Sequence, residues 1–496
     1  MNEPDLQAEH FEAAAPPEAG RLGSSAAKGV SVLVVRTLGL QLLTAGVTVV
    51  LARLLTPSDY GLFAIALSIQ LVGQNLAELG LPAALVRMAE QPSAELQGAT
   101  IGFLQAITAG LALSMIAISF LLAPALWGDT EVLKVASVTL LAMPIYATRA
   151  VPMAMMDRKL QFGRVAAVEV ADTIGFNAFA LTAAIAGLGV FSLAGAVPFG
   201  AALGMLTAWS LSDSARRPRL SLAAVRPLIG FGSQVSVLGV LYLGRDLGYV
   251  TVIGAVGGAP MAGFYAMAKR LFSFPTAMAA AVSRVGLPTL SQSGSHRDRR
   301  AVRMIGQVAV VCGLPLTLVA GAATPLVTVL IGSEWLPTED IILLGSLSML
   351  LSASISSTLN SYRLARGEPT APVLAIAVEL AIGLALAAAL IGPLSEAGIG
   401  IAMSVGTLAA TAILLVASGT EIRRGSTSVL RVALVSAAAA AAGYALPVGD
   451  DVAGLVAALC LSGAVWLALA AVLLRAEIGA LLGIIRGLIT GRRRSA

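Results

Sequence analysis

Most residues in this chain that could do chemistry are charges placed where charge is expensive. Arg36, Arg149, Arg245, Lys269 and Arg270 are bases inside long apolar segments, and Glu169, Asp172, Asp246 and Glu379 are acids inside others. An ionisable group at the centre of a membrane helix costs about 3 kcal/mol or more, so each is a functional candidate by default. Polar residues accompany them at helical spacing. Arg36, Thr37, Gln41, Thr44 and Thr48 fall within about 140° of arc at ~100° per residue. Gln70, Gln74 and Glu78 stand at i, i+4 and i+8, while Glu169, Asp172, Thr173 and Asn177 share one face. Tyr242, Arg245, Asp246 and Tyr249 stand at i, i+3, i+4 and i+7, and Tyr265, Lys269 and Ser273 repeat every four residues. Lipid does not tolerate such stripes, so they point inward.

The chemistry open to these residues is binding rather than bond-making. Arg36, Gln41, Gln74, Arg149, Arg245, Lys269 and Arg270 are candidates to line a cationic cavity. Glu169, Asp172 and Asp246 could hold a coupling cation or proton, or could neutralise the bases. For Arg245 and Asp246, neighbours in sequence, mutual or cross-helix pairing competes evenly with a binding role. The serines from Ser346 to Ser361 read as small residues for helix packing. Cys312 and Cys460 both lie in apolar segments and read as small hydrophobes, with no disulfide or metal site expected. The two histidines, His10 and His296, lie in a tail and a loop. No cofactor and no catalytic centre are expected.

The elements that must position these residues are membrane helices. The chain is 57% hydrophobic and 12% charged, with a mean hydropathy of +0.88. Its apolar pattern divides into about fourteen segments, each near the ~20 residues that a span needs. The fold class expected is therefore an all-α polytopic membrane protein. Between segments the loops alternate in charge. Arg158, Lys159 and Arg164; Arg216, Arg217, Arg219 and Arg226; Arg297, Arg299, Arg300 and Arg303; Arg363 and Arg366; and Arg423, Arg424 and Arg431 form a basic set. The intervening loops carry Asp59, Asp129, Glu131, Glu334, Glu339, Asp340, Glu396, Asp450 and Asp451 instead. Basic loops stay cytoplasmic, which predicts that both termini are cytoplasmic. The net charge of +5 suits anionic lipid headgroups and not nucleic acid.

Residues 1–28, rich in Ala, Pro and Glu, read as a disordered cytoplasmic tail without the features of a signal peptide. A six-helix half, 29–212, is expected next. A cytoplasmic linker at 213–225 leads to a second half at 226–418. Two additional helices at 419–474 and a basic interfacial tail at 475–496 complete the chain. The halves are suggested by a repeat. Gly61-Leu62-Phe63-Ala64-Ile65-Ala66 is echoed by Gly263-Phe264-Tyr265-Ala266-Met267-Ala268, and Gly80-Leu81-Pro82 by Gly286-Leu287-Pro288. An even number of spans in each half gives both the same orientation, around a central cavity and a midplane site. Spans 1 and 7 are expected to face each other across that cavity, as are spans 2 and 8, which carry the repeat.

The stretch Leu51 to Arg87, above all Leu54-Leu55-Thr56-Pro57-Ser58-Asp59-Tyr60-Gly61 and Leu79-Gly80-Leu81, resembles the first hairpin of the polysaccharide transport family. That family lies within the multidrug/oligosaccharidyl-lipid/polysaccharide (MOP) superfamily. The resemblance implies a bacterial inner-membrane transporter that flips an undecaprenyl-pyrophosphate-linked oligosaccharide; short loops and the lack of histidines in the apolar segments separately argue against an enzyme. The partners it implies are that lipid-linked oligosaccharide and membrane lipids, with a polysaccharide polymerase and a chain-length regulator from the same pathway. Two readings within the superfamily compete, a cation-coupled multidrug exporter and a peptidoglycan-precursor flippase. A drug exporter would want an acid-dominated cavity, which the bases argue against. From another class, a membrane-embedded scaffold has no use for polar stripes on five helices.

Overall fold

The computed structural model describes residues 39–481, apart from 79, 89, 128–130, 215–216, 292–296, 365 and 448. Among the described residues every regular element is helical. Hydrocarbon demands this, because a helix bonds its own N–H and C=O groups. The first is α1, Gly39–Leu54. There follow α2 (Pro57–Glu78), α3 (Leu81–Arg87), α4 (Ala94–Trp127), α5 (Glu131–Leu140), α6 (Ala142–Arg158), α7 (Phe162–Ile185), α8 (Val190–Leu211) and α9 (Leu222–Ser291). Then come α10 (Arg297–Gly321), α11 (Ala323–Leu326), α12 (Thr338–Leu351), α13 (Ser357–Leu364), α14 (Thr370–Ala417), α15 (Thr420–Gly425), α16 (Thr427–Tyr444) and α17 (Val452–Leu473).

Eleven helices among the described residues are long and apolar enough to cross a membrane. Leu113, Leu121, Ile185, Leu206, Leu408, Val416, Leu434 and Leu467 are each more than half exposed. Helices apolar on their outer as well as their inner faces belong in lipid. This is a multi-pass membrane protein. The sequence pattern divides the chain more finely than the count of helices does. α9 and α14 are each interrupted by a single non-helical residue, Gly258 (φ 81°) and Ser395 (φ 50°), where two spans with a turn are expected. The first expected span begins outside the described residues.

Two compact units form. One comprises the chain as far as Leu54 and Ile65–Leu243; the other comprises Leu55–Ala64 and Gly244 onward. The division runs through α2 and α9. In the first unit, Leu81, Ala99, Leu104, Ala147 and Val225 make one apolar core, and Met156, Val165, Val168 and Ala208 make another. In the second, Ala322 and Leu326 pack against Leu455 and Ala458.

The start of α2 shows why the hairpin residues are of these types. Thr56 is the N-cap and Pro57 opens the helix, where its missing N–H costs nothing. The Asp59 carboxylate accepts from the Thr56 backbone N–H at 2.9 Å, and the Thr56 hydroxyl accepts from the Asp59 N–H at 3.2 Å. This is a reciprocal capping box. Gly80, left-handed at φ 66°, stands at the N-cap of α3, and Pro82 lies in the first turn of that helix. Arg158 Nη1 then donates to the carbonyls of Val86 and Met88, closing the C-terminal end of α3.

One turn into α2, Gly61 meets Gly263 within the second unit. A Cβ on Gly61 would fall on the Ala259 carbonyl oxygen and lie 2.9 Å from the Gly263 nitrogen. A Cβ on Gly263 would fall on the Pro57 carbonyl oxygen and lie 3.2 Å from the Gly61 nitrogen. Pro57 and Ala259 each stand four residues before their glycine, so the contact has the same register in both directions. The two glycines singled out as a repeat therefore mark a close backbone approach between these helices, which side chains would forbid.

Candidate functional site

In the first unit the charges are gathered at a bay in α8. Arg149 on α6 donates from Nη1 to Asp172 Oδ2 on α7 at 2.6 Å, with each side chain about four-fifths buried. The Arg149 guanidinium also lies 4.3 Å from the centroid of the Tyr146 ring. Gly200 and Gly204 make the space. A Cβ at Gly204 would lie 2.5 Å from Arg149 Nη1, and one at Gly200 would lie 2.8 Å from Asp172 Oδ1. A cavity of about 740 Å³ opens beside this pair, lined by Gln70, Gln74, Glu78, Tyr146, Arg149 and Asp157 among others. Gln74 Nε2 donates to Glu78 Oε1 at 2.8 Å and Gln74 Oε1 accepts from Gln70 Nε2 at 3.4 Å, as the i, i+4, i+8 spacing predicts. Gln70 Oε1 is buried and accepts no hydrogen bond among the described residues.

In the second unit the walls of a cavity of about 600 Å³ come from α9 on both sides of Gly258, from α12 and α13, and from α14 on both sides of Ser395. Among the described residues its charged side chains are Arg245, Lys269 and Glu379. Glu379 is 7% exposed. Its Oε1 accepts from the Thr407 hydroxyl at 2.9 Å and stands 3.5 Å from Arg245 Nη1. The Thr407 proton is thereby committed to the carboxylate. The 2.7 Å contact between Thr407 Oγ1 and Ser348 Oγ must then run from Ser348 as donor. Tyr249 stacks on Tyr265 with centroids 6.0 Å apart and an interplanar angle of 27°. Lys269 Nζ lies 5.8 Å from the Tyr265 centroid. Arg245 and Lys269 are groups of the kind that recognise an anion, and the hydroxyls beside them are of the kind that recognise a polar solute.

Family comparison agrees with the geometry. The family described as polysaccharide biosynthesis protein matches residues 50–340, more than half of the chain. The chain belongs to this family. Among individual relatives, the succinoglycan biosynthesis transport protein ExoT of Rhizobium meliloti (strain 1021) is 27% identical over 304 residues. That match spans 60% of this chain and 60% of the relative's own length. The fold is that of MOP-superfamily transporters. The structure of the lipid II flippase MurJ in an inward closed conformation matches 90% of this chain and all of its own, with a TM-score of 0.76 at 14% identity. An inward-facing multidrug resistance MATE family transporter of the MOP superfamily matches 80% of this chain and 95% of its own, with a TM-score of 0.55 at 13% identity.

In this polysaccharide biosynthesis protein the candidate residues are distributed as follows. Gln74 and Arg149 line the first-unit cavity, while Arg245 and Lys269 line that of the second. Asp172 is bound to Arg149. Glu169 is half-buried on the same helix. Gln41 is half-buried on α1, and its Oε1 accepts no hydrogen bond among the described residues. Arg270 lines neither cavity; its guanidinium lies 5.7 Å from the Tyr60 ring centroid. Consecutive helical residues point about 100° apart, so a helix that aims Lys269 into the cavity turns Arg270 away from it. Arg36 and the Asp246 side chain lie outside the described residues.

Sequence reading missed the part played by Ser352, Ser357 and Ser361, which line the second cavity. The packing role expected of the serine run holds for Ser348, bonded to Thr407, and for Ser356, 3.3 Å from Thr411 Oγ1. It also missed Gly383, where a Cβ would fall on the Tyr249 hydroxyl.

Proposed function

We propose that this chain moves a polyprenyl-pyrophosphate-linked oligosaccharide across the bacterial inner membrane by alternating access, for surface polysaccharide export. The observation that carries this reading is the second-unit cavity, where Arg245 and Lys269 stand among serine and threonine hydroxyls. A pyrophosphate crossing ~30 Å of hydrocarbon needs its charge compensated on the way. A saccharide needs partners that both donate and accept, which hydroxyls supply. The transport role printed in the name of the succinoglycan relative supports the polysaccharide branch over drug export. In this reading both termini are cytoplasmic and the halves 29–212 and 226–418 enclose a central pathway. Arg36 offers the first cation from the cytoplasmic side. A polymerase and a chain-length regulator take the product on the far side.

Coupling is assigned to the acids Glu169, Asp172 and Asp246. A proton or cation captured by Asp172 would release Arg149 towards the cavity that Gln74 and Glu78 line.

Lys269→Ala tests the reading. A charge-assisted bond contributes about 1.5–3 kcal/mol, so export should fall about tenfold or more at an unchanged protein level. Lys269→Arg should retain most of it, and Arg36→Ala should behave as Lys269→Ala does. Normal export from a Lys269→Ala protein at wild-type abundance would refute the reading. Orientation has its own test. Single cysteines at Glu339 and Asp450 should react with an impermeant thiol reagent in intact cells, and those at Arg217 and Arg299 should not. Labelling at position 299 would overturn the topology.

A further inference from the structure

Between α12 and α13 the helical rod from Thr338 to Leu364 passes through a π-helical turn, Ser352–Ser356. Such a turn absorbs one extra residue into an α-helix and recurs at functional sites. Here it changes which serines share a face. Ser348 and Ser352 stand at i and i+4, but Ser357 and Ser361 stand at i+9 and i+13. In an unbroken helix of ~3.6 residues per turn the four would spread over about 220°. With one residue absorbed, Ser357 and Ser361 take the places of i+8 and i+12, and the spread falls to about 120°. All four then reach the same cavity, as they do.

The rest of that wall suits one chemical class. Tyr249 and Tyr265 are stacked, with the Lys269 ammonium beside Tyr265. The cavity volume of about 600 Å³ lies within the ~300–1,000 Å³ of small-molecule sites. A pyranose ring offers a rim of hydroxyls to polar partners, and the buried Tyr249–Tyr265 stack backs the wall behind them. Ser357 and Ser361 spend their protons on the carbonyls of Ala353 and Ser357. Their oxygens therefore remain as acceptors for sugar O–H groups.

We propose that this cavity is a saccharide subsite, in which the π-turn aligns Ser352, Ser357 and Ser361 as a ladder that reads sugar hydroxyls while Arg245 and Lys269 hold the pyrophosphate. The proposal rests on the transport reading and goes further in assigning sugar recognition to one wall. Ser348 is set aside because its bond to Thr407 gives it a packing role. Ser354 supplies the control. It belongs to the same π-turn, is fully buried, donates to the Leu350 carbonyl and does not line the cavity.

The experiment is native mass spectrometry of the purified full-length protein with two probes at equal concentration. One is undecaprenyl pyrophosphate; the other is the lipid-linked oligosaccharide fraction extracted from the cells that make the protein. Wild type should retain the sugar-bearing lipid about tenfold over the bare one. Ser352→Ala/Ser357→Ala should bring that ratio close to one while retaining the bare lipid within twofold of wild type, which also shows that the variant is folded. Ser354→Ala should keep the wild-type ratio. A double variant with the full preference would overturn the subsite, as would a wild type that retains both probes equally; either leaves the transport reading standing. A wild type that retains neither probe would overturn the transport reading and the subsite with it.

Discussion

Gly61→Ala and Gly263→Ala should each destabilise the protein by about 3 kcal/mol, at the upper end of what overpacking costs. The added methyl has nowhere to go. At Gly61 it meets the Ala259 carbonyl oxygen and at Gly263 the Pro57 carbonyl oxygen. Backbone cannot swing aside as a flexible side-chain end would. The helices must separate instead, and Tyr60 must then leave its edge-on contact with Trp335, whose centroid is 5.1 Å away. The double variant should cost less than the sum of the singles, because the gap forced open by one methyl accommodates part of the other. Gly110→Ala supplies the comparison. No atom lies within 4 Å of a Cβ there, so the change should be neutral, or stabilising by up to ~1 kcal/mol through helix propensity. Thermal midpoints of the detergent-purified protein would report all four. A Gly61→Ala protein that melts with Gly110→Ala would show that the glycine contact does not hold these helices together.

What the sequence discloses is mostly local. The Thr56–Asp59 capping box, the left-handed Gly80 and the glutamine ladder on α2 depend on residues within four of one another, so spacing alone reveals them. Gly61 and Gly263 stand out as equivalent places because a phrase is repeated, but the repeat sets their spans across a cavity, and their backbone contact comes from the structure alone. Partners on different helices leave no such trace. Arg149 and Asp172 are 23 residues apart and Arg245 and Glu379 are 134 apart. Nothing in their spacing tells an ion pair from two separate sites, which is why Arg149 and Asp172 are read as having different roles. Arg270 is legible only as a base, because its direction follows from that of Lys269. The serines of α12 and α13 are hidden more deeply. Their alignment needs a helix that departs from 3.6 residues per turn, and any count that assumes the regular period puts Ser357 on the wrong face.

The pairing of Arg149 with Asp172 leads to the second large effect. Arg149→Ala leaves the Asp172 carboxylate about four-fifths buried without its 2.6 Å partner. Breaking a buried pair in this way costs about 3–5 kcal/mol, mostly the desolvation of the remaining charge. The lower end, about 3 kcal/mol, is expected because about a fifth of each side chain is exposed rather than buried in protein. Removing both charges removes that penalty, so Arg149→Ala/Asp172→Ala should recover most of the loss, and the cycle with the two single alanine variants should return a coupling of opposite sign to the single costs. Gly204→Val should imitate Arg149→Ala, since its side chain would occupy the place of the Arg149 guanidinium. Export then separates structure from transport. If the pair only holds α6 to α7, the double variant should regain protein and export together. If Asp172 takes up the coupling ion and frees Arg149, the double variant should regain protein alone. Additive costs of the two single changes would show that the ion pair contributes no coupling, and that each residue acts through a different partner.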